Sequence, residues 1–551
     1  MNSKLIIIFC SVLLLSACGE PTDKKTAYES ILELSKVVAP THRENTVRAN
    51  IQLSKTNLLS MLPDLADYPV HINAQDSSTQ EVVEIFTSSE KAGKGRDGIY
   101  IDMANQFNRL LKKTSSGKKA VISIRKIASG LGAQFILSGK YMPDAYSPSN
   151  FLWGQMLNAK GIKTLTVANS TAPNTAGIVV KKSKSEAITN KAGKLDISKL
   201  LTAVSSGEFA MGYTNPYQSS TGLNFLMTIL DSFAQGDESQ YLSPDVASAL
   251  TAFQTGVPFN AQNTLQMREA TLNSDVLDGF VMEYQTFINA RGLSDYLFIP
   301  FGIRHDSPLL ALPEADESER EVLALFATFL ASQSKVVGEY GFGKNPEYEH
   351  AYLISNNNVI GEAQSLWKQR KSGGRPIAAV FVADVSGSME GLRIKALKKA
   401  LIESADLISA KNAIGLVTFS DVVNIDLPVN TYKVQQKSLF IGAVERLATG
   451  GKTATNSGIV VAMAELIKFS KTNPDYKLIV FVLSDGERTA GMSYSDVSKL
   501  FELSGIPIHT IAYELDSKEL KDLSLLAEGA YIKSTVSSAS YRIGNLLNSE
   551  M

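Results

Sequence analysis

The chain has 551 residues, 44% apolar and 20% charged, with 54 basic against 55 acidic side chains. That balance excludes nucleic-acid binding through bulk positive charge and a long disordered acidic chain. Two cysteines (Cys10, Cys18) and five scattered histidines exclude a disulfide scaffold, a zinc site built on several thiolates and an HExxH metalloenzyme.

At the N-terminus, Lys4 precedes an apolar run over 5–15 and then Ser16-Ala17-Cys18. A run this short is read as a secretory signal over 1–17 rather than a membrane span. Leu15-Ser-Ala-Cys18 resembles the bacterial lipobox, which implies acylation of Cys18 and a lipid anchor as the sole membrane attachment. Gly19 rather than Asp after that cysteine resembles an outer-membrane address in a Gram-negative envelope. Residues 18–67 are expected to be a tether followed by a helical segment, with Ile31, Leu34 and Val38 at helical spacing, that docks on the second domain.

Residues 68–365 alternate strands and helices. Strands are expected over 82–86, 120–127, 141–146, 163–168 and 176–181, and helices over 99–112, 151–159 and 223–230. Several strands end in Ser/Thr/Asn clusters at helix starts: Ser88-Ser89, Ser149-Asn150 and Asn215 with Ser219-Ser220-Thr221. Such clusters either cap helices or offer hydroxyls and N–H groups to an anion or polar solute. The acidic run over 314–321 suits a helix N-terminus. Trp153 and Trp367 read as packing residues.

The phrase Tyr213-Thr-Asn-Pro-Tyr217-x-Ser219-Ser-Thr-Gly222, with Val281-Met-Glu-Tyr284 and Tyr340-Gly-Phe342, resembles type II periplasmic solute-binding proteins. The resemblance implies two α/β lobes closing on a small solute or oxyanion, with Ser88, Ser89, Ser149, Asn215, Ser219, Ser220 and Thr221 as ligand positions. Residues 366–374, with Lys371-Ser-Gly-Gly374, read as a linker.

From 375 to 551 apolar strands alternate with amphipathic helices: strands over 377–383, 414–419, 424–429, 477–483, 507–513 and 530–533. That order predicts a doubly wound, mainly parallel Rossmann-like sheet, with sites at the carboxyl ends of its strands. Asp384 and Asp485 both fall there. Gly451-Lys-Thr453 looks like the end of a phosphate-binding loop, but Arg446 occupies the required glycine position and a helix precedes it.

Asp384-x-Ser386-x-Ser388, Gly450-Gly-Lys-Thr453 and Ser484-Asp485-Gly486 arrive in the order of the metal-ion-dependent adhesion site of von Willebrand factor type A domains. The resemblance implies a cation held by Asp384, Ser386, Ser388, Thr453 and Asp485. The residue types agree: Mg²⁺ is a small, hard ion that takes oxygen ligands in octahedral geometry and keeps waters. A partner's carboxylate could replace one of those waters. A family of secreted bacterial proteins joins the two kinds of domain, and this chain resembles a lipidated member. The expected function is therefore non-enzymatic: a lipid-anchored envelope protein binding an acidic protein partner through Mg²⁺, with the middle domain as a second binding surface. The alternative is a solute receptor of a transport or sensing system whose C-terminal domain docks a partner component. No GxSxG elbow is present.

Overall fold

The computed structural model describes residues 21–43, 47–49, 58–72, 77–257, 259–261, 267, 277–343, 352–526 and 529–551. The expected signal and Cys18 lie outside them. No helix among the described residues is long and apolar enough to cross a membrane.

The chain forms two compact units. The first joins residues 1–63 to residues 375–551, and the second is residues 64–374, inserted between those two parts.

Unit 1 is built on a seven-stranded sheet in the order Thr41–His42, Val423–Thr431, Ala413–Phe419, Ile377–Asp384, Lys477–Ser484, Ile508–Tyr513, Tyr531–Ser534. Neighbours are parallel except for Ala413–Phe419 against Val423–Thr431. Side chains alternate across a strand, so Ile377, Ala379, Phe381 and Ala383 enter one core while Ala378, Val380 and Val382 enter the other. Leu397, Leu401, Phe440, Ile441, Leu546 and Leu547, from three helices, cover the first face. Ile459, Met463, Val497, Phe501 and Leu520 cover the second. Burial on both faces is why these strands read as continuous apolar runs.

The N-terminal segment belongs to this unit. Helix Lys24–Val38 starts in a capping box in which the Asp23 carboxylate accepts from the Thr26 N–H at 2.9 Å. Its Ile31 and Leu34 enter the second core. Thr41–His42 then extends the sheet edge, and Ser438 donates to the Ala49 carbonyl at 2.7 Å.

Unit 2 contains two five-stranded sheets. The first lobe runs Lys119–Lys126, Gln80–Thr87, Ala145–Ser147, Leu309–Ala311, Leu165–Ala168. The second runs Tyr296–Arg304, Thr175–Lys181, Gly279–Glu283, Met211–Thr214, Phe259–Ala261. The chain crosses between lobes over 169–174 and returns over 305–308. The strand expected over 141–146 is only Ala145–Ser147, because the Asp144 side chain turns to accept from the Glu84 N–H at 2.7 Å. The acidic run forms a capping box at Asp316 for helix Glu317–Ser332. Trp153 and Trp367 are buried, as their apolar area demands. The linker expected over 366–374 begins inside helix Asn358–Arg370, where buried Trp367 donates to the Tyr213 hydroxyl. That contact fixes the segment to unit 2, and the turn follows over 371–374, with Gly373 and Gly374 at positive φ.

Candidate metal centre

Strand Ile377–Asp384 carries Asp384 to its carboxyl end, where it is fully buried. The next turn folds back on it, the Ser386 N–H donating to Asp384 Oδ1 at 2.8 Å. The parallel neighbour Lys477–Ser484 ends level with it, and Ser484 Oγ donates to Asp384 Oδ2 at 2.5 Å. The following residue is Asp485. Ser386 Oγ lies 3.0 Å from Ser388 Oγ, and Ser388 Oγ donates to Asp485 Oδ1 at 2.7 Å. Two fragments about a hundred residues apart in sequence therefore meet because their strands are parallel neighbours.

The third fragment arrives on the loop before helix Thr455–Ser470. The Gly387 N–H donates to the Gly451 carbonyl at 3.1 Å, and the Gly450 N–H to the Val385 carbonyl at 2.8 Å. Gly451 is required: its φ is +82°, and a Cβ would sit 1.9 Å from Asp421 Oδ1. Thr453, buried, is placed by its backbone; its N–H donates to Thr489 Oγ1 at 3.0 Å and its carbonyl accepts from the Thr489 N–H at 2.9 Å. Helix Val434–Glu445 comes before this loop, as expected for a segment that is no phosphate-binding loop.

Asp384, Ser386, Ser388 and Asp485 thus form one connected oxygen cluster, with Thr453 on the adjoining loop. Gly387, Ser388 and Leu392 are exposed, so the cluster opens to solvent on one side. Burial raises the Asp384 carboxyl above the usual range, the Ser386 and Ser484 hydrogen bonds oppose that rise, and the Asp485 charge adds to it. A cation would relieve the same crowding. Ligands at 2.0–2.1 Å in an octahedron stand about 2.9 Å apart, close to the oxygen separations of 2.7 and 3.0 Å found here. The residues fit a hard divalent ion. Among the described residues no group of three or more His, Cys, Asp or Glu could hold a metal; the oxygens gathered here are two carboxylates and neutral hydroxyls, donors that suit a hard cation which also keeps waters.

One neighbour escaped the sequence reading. Arg393 Nη1 donates to Asp485 Oδ2 at 2.6 Å and to the Ser388 carbonyl at 3.1 Å. Its signal was available: it stands in the first turn of helix Leu392–Ser404, a turn with no acidic residue, where the helix dipole disfavours a cation.

In unit 2 the expected solute positions divide. Ser219 caps helix Ser220–Phe233, accepting from the Gly222 N–H at 3.4 Å and from Thr214 Oγ1 at 2.8 Å. Asn215 Oδ1 accepts from the Tyr217 N–H at 2.9 Å, a local turn, and Thr221 is buried in the helix start. Ser220 instead meets the other lobe, its Oγ accepting from Trp153 Nε1 at 2.9 Å and its carbonyl from Asn150 Nδ2 at 3.1 Å. Ser149 Oγ lies 3.5 Å from Ser88 Oγ, and Ser89 is half-buried.

The same seam holds groups not among the expected ligand positions. Glu283 Oε1 lies 2.8 Å from His305 Nδ1, and its Oε2 accepts from Asn174 Nδ2 at 2.9 Å. His305 Nε2 is 3.1 Å from the amide nitrogens of both Asn150 and Asn224. Those amides are oriented independently: Asn150 Oδ1 accepts from the Leu152 N–H, and Asn224 Oδ1 accepts from the Ile303 N–H. Both therefore turn an N–H toward Nε2, which leaves Nδ1 to face the Glu283 carboxylate. Buried Lys91 donates to the carbonyls of Ser147 and Pro148 and to Ser147 Oγ, at 2.8 to 3.1 Å. Three acceptors suit an ammonium, although burial pulls Lys91 down to about 7 against the opposing charges of Glu283 and Glu90.

The von Willebrand factor type A domain family model matches residues 379–543; this part of the chain is such a domain. Inter-alpha-trypsin inhibitor heavy chain H1 of Mesocricetus auratus is 31% identical over 119 residues, 20% of this chain and 13% of that protein. Matrilin-1 of Mus musculus is 28% identical over 159 residues, 27% of this chain and 31% of that protein. The chain thus spans a third or less of these relatives. A solved periplasmic thiamin binding protein aligns over 55% of this chain and 99% of its own, at 12% identity and a TM-score of 0.38. A likeness that low does not bear on what unit 2 binds.

Proposed function

We propose that the C-terminal domain recognises a protein partner through a divalent cation, Mg²⁺ by its donor chemistry, held by Asp384, Ser386, Ser388, Thr453 and Asp485. The observation that supports this reading is the connected, solvent-facing oxygen cluster at the ends of two parallel strands. When bound, the ion would supply a Lewis-acidic position for a partner's carboxylate. The chain's own part is to hold the oxygens: Ser484 and the Ser386 N–H orient Asp384, Ser388 orients Asp485, and Gly451 lets the Thr453 loop approach.

The reading extends to the whole chain as a non-enzymatic envelope protein, exported by residues 1–17 and anchored through lipid on Cys18. Unit 2 serves as a second binding surface, for which a small solute or oxyanion is the ligand class. The hydroxyls of Ser386 and Ser388 have a carboxylate and each other as side-chain neighbours, without the imidazole that a serine nucleophile needs.

The test is affinity capture from the native envelope with the full chain, in Mg²⁺ and in chelator, beside Asp384→Ala. A partner retained only by the unmodified chain in Mg²⁺ is the expected result. Equal capture in all arms would refute metal-dependent recognition. For unit 2, a thermal-shift screen with oxyanions, sugars and peptides should find a stabilising solute.

A further inference from the structure

Arg393 breaks a local rule, and the way it is held says what for. Its helix begins with Leu392, Arg393, Ile394 and Lys395, two cations where the dipole favours acids. A residue kept there against its helix has its energetic reason elsewhere. The guanidinium is only 31% exposed and the Asp485 side chain is fully buried. The pair is therefore a shielded ion pair at 2.6 Å rather than a surface bridge. A second contact to the Ser388 carbonyl and a looser one, 3.7 Å from Arg393 Nε to Glu514, fix the orientation.

We infer that Arg393 is the built-in counter-ion of the metal centre: it weakens the hold on the cation and leaves the loaded centre positively charged, so that the centre selects an anionic partner. The inference rests on the metal-dependent reading above and deepens it. Asp384 and Asp485 alone would neutralise a dication. With the guanidinium tied to Asp485 Oδ2, one positive charge remains uncancelled at the face where Ser388 meets solvent. Glu514, at 43% exposed, and Asp421, exposed beside Gly451, are screened by water and offset little of it. Arg393 acts on the cation through Asp485 and is a positioning residue, not a ligand.

The test is calorimetric titration of the metal-free full chain with Mg²⁺, on the unmodified protein and on Arg393→Gln, Arg393→Lys and Asp384→Ala. Arg393→Gln should bind Mg²⁺ about three- to tenfold more tightly, the size expected for removing one unit charge near the ion at high dielectric. Arg393→Lys, which keeps the charge, should stay within about twofold of the unmodified chain. A gain in affinity cannot come from misfolding. Equal or weaker binding by Arg393→Gln, with Asp384→Ala silent, would overturn the role of Arg393 and leave the metal reading standing. No Mg²⁺ binding by any of the four proteins would overturn both.

Discussion

At the seam of unit 2, Glu283 receives an N–H on each carboxylate oxygen and His305 has a partner on each ring nitrogen. At the strand ends of unit 1, the side chains of Ser386, Ser388 and Asp485 bond to one another, to Asp384 and to Arg393, on a face that opens to water. Both clusters are polar and largely buried. The first is closed: its partners are already protein groups, so it fixes the register of two lobes. The second keeps acceptor capacity for something from outside. The contrast separates a polar cluster satisfied within the fold from one that, on the proposed reading, awaits a ligand.

The comparison breaks most severely at Glu283. Glu283→Ala strips the partner from His305 Nδ1 and from Asn174 Nδ2 in a buried site, and should destabilise unit 2 by about 2–4 kcal/mol. Urea unfolding followed by hydrogen exchange would place the loss in residues 64–374, with Mg²⁺ affinity unchanged. Conversely, Mg²⁺ at one hundred times its dissociation constant should stabilise unit 1 by about 2.7 kcal/mol and leave unit 2 unmoved. Protection appearing in the seam instead would reverse the two assignments.

Lys91 gives a smaller, pH-dependent contrast. Its folded pKa of about 7 lies below its ordinary 10.5, so between these values the unfolded chain binds more protons. Stability from this group therefore rises with pH through that window, and the cost of burying the ammonium is fully present below it. The urea midpoint of the unmodified chain should gain on that of Lys91→Met between pH 7 and 9. A constant gap would show that the ammonium is not held as described. The smallest effect is expected at the rim of the metal centre, where Thr453→Ala should weaken Mg²⁺ about two- to tenfold, read by calorimetry.

The meeting of Asp384 with Ser484 and Asp485 was legible because parallel sheets put residues together at strand ends, and two apolar strands ended in Asp384 and Ser484-Asp485. Alternation told which residues enter which core. What the sequence hid depended on distant segments meeting. Nothing near Lys24–Val38 says that it packs on residues 455–504, and nothing near Lys91 says that its loop is folded under Ser147. The Ser/Thr clusters of unit 2 carry the same letters whether they cap, as Ser219 does, or cross the seam, as Ser220 does. Only the facing element decides. Arg393 was legible in principle, since a basic first turn is unfavourable, but that signal is weak without Asp485 beside it.

The central claim is that the oxygen cluster of unit 1 holds a divalent cation. The most direct test is Mg²⁺ titration of the chelator-stripped full chain by calorimetry, with Asp384→Ala as control. One saturable site, lost in Asp384→Ala while the circular dichroism spectrum stays unchanged, is the predicted result. Mg²⁺ binding equal in both proteins, or absent from the unmodified chain, would contradict it.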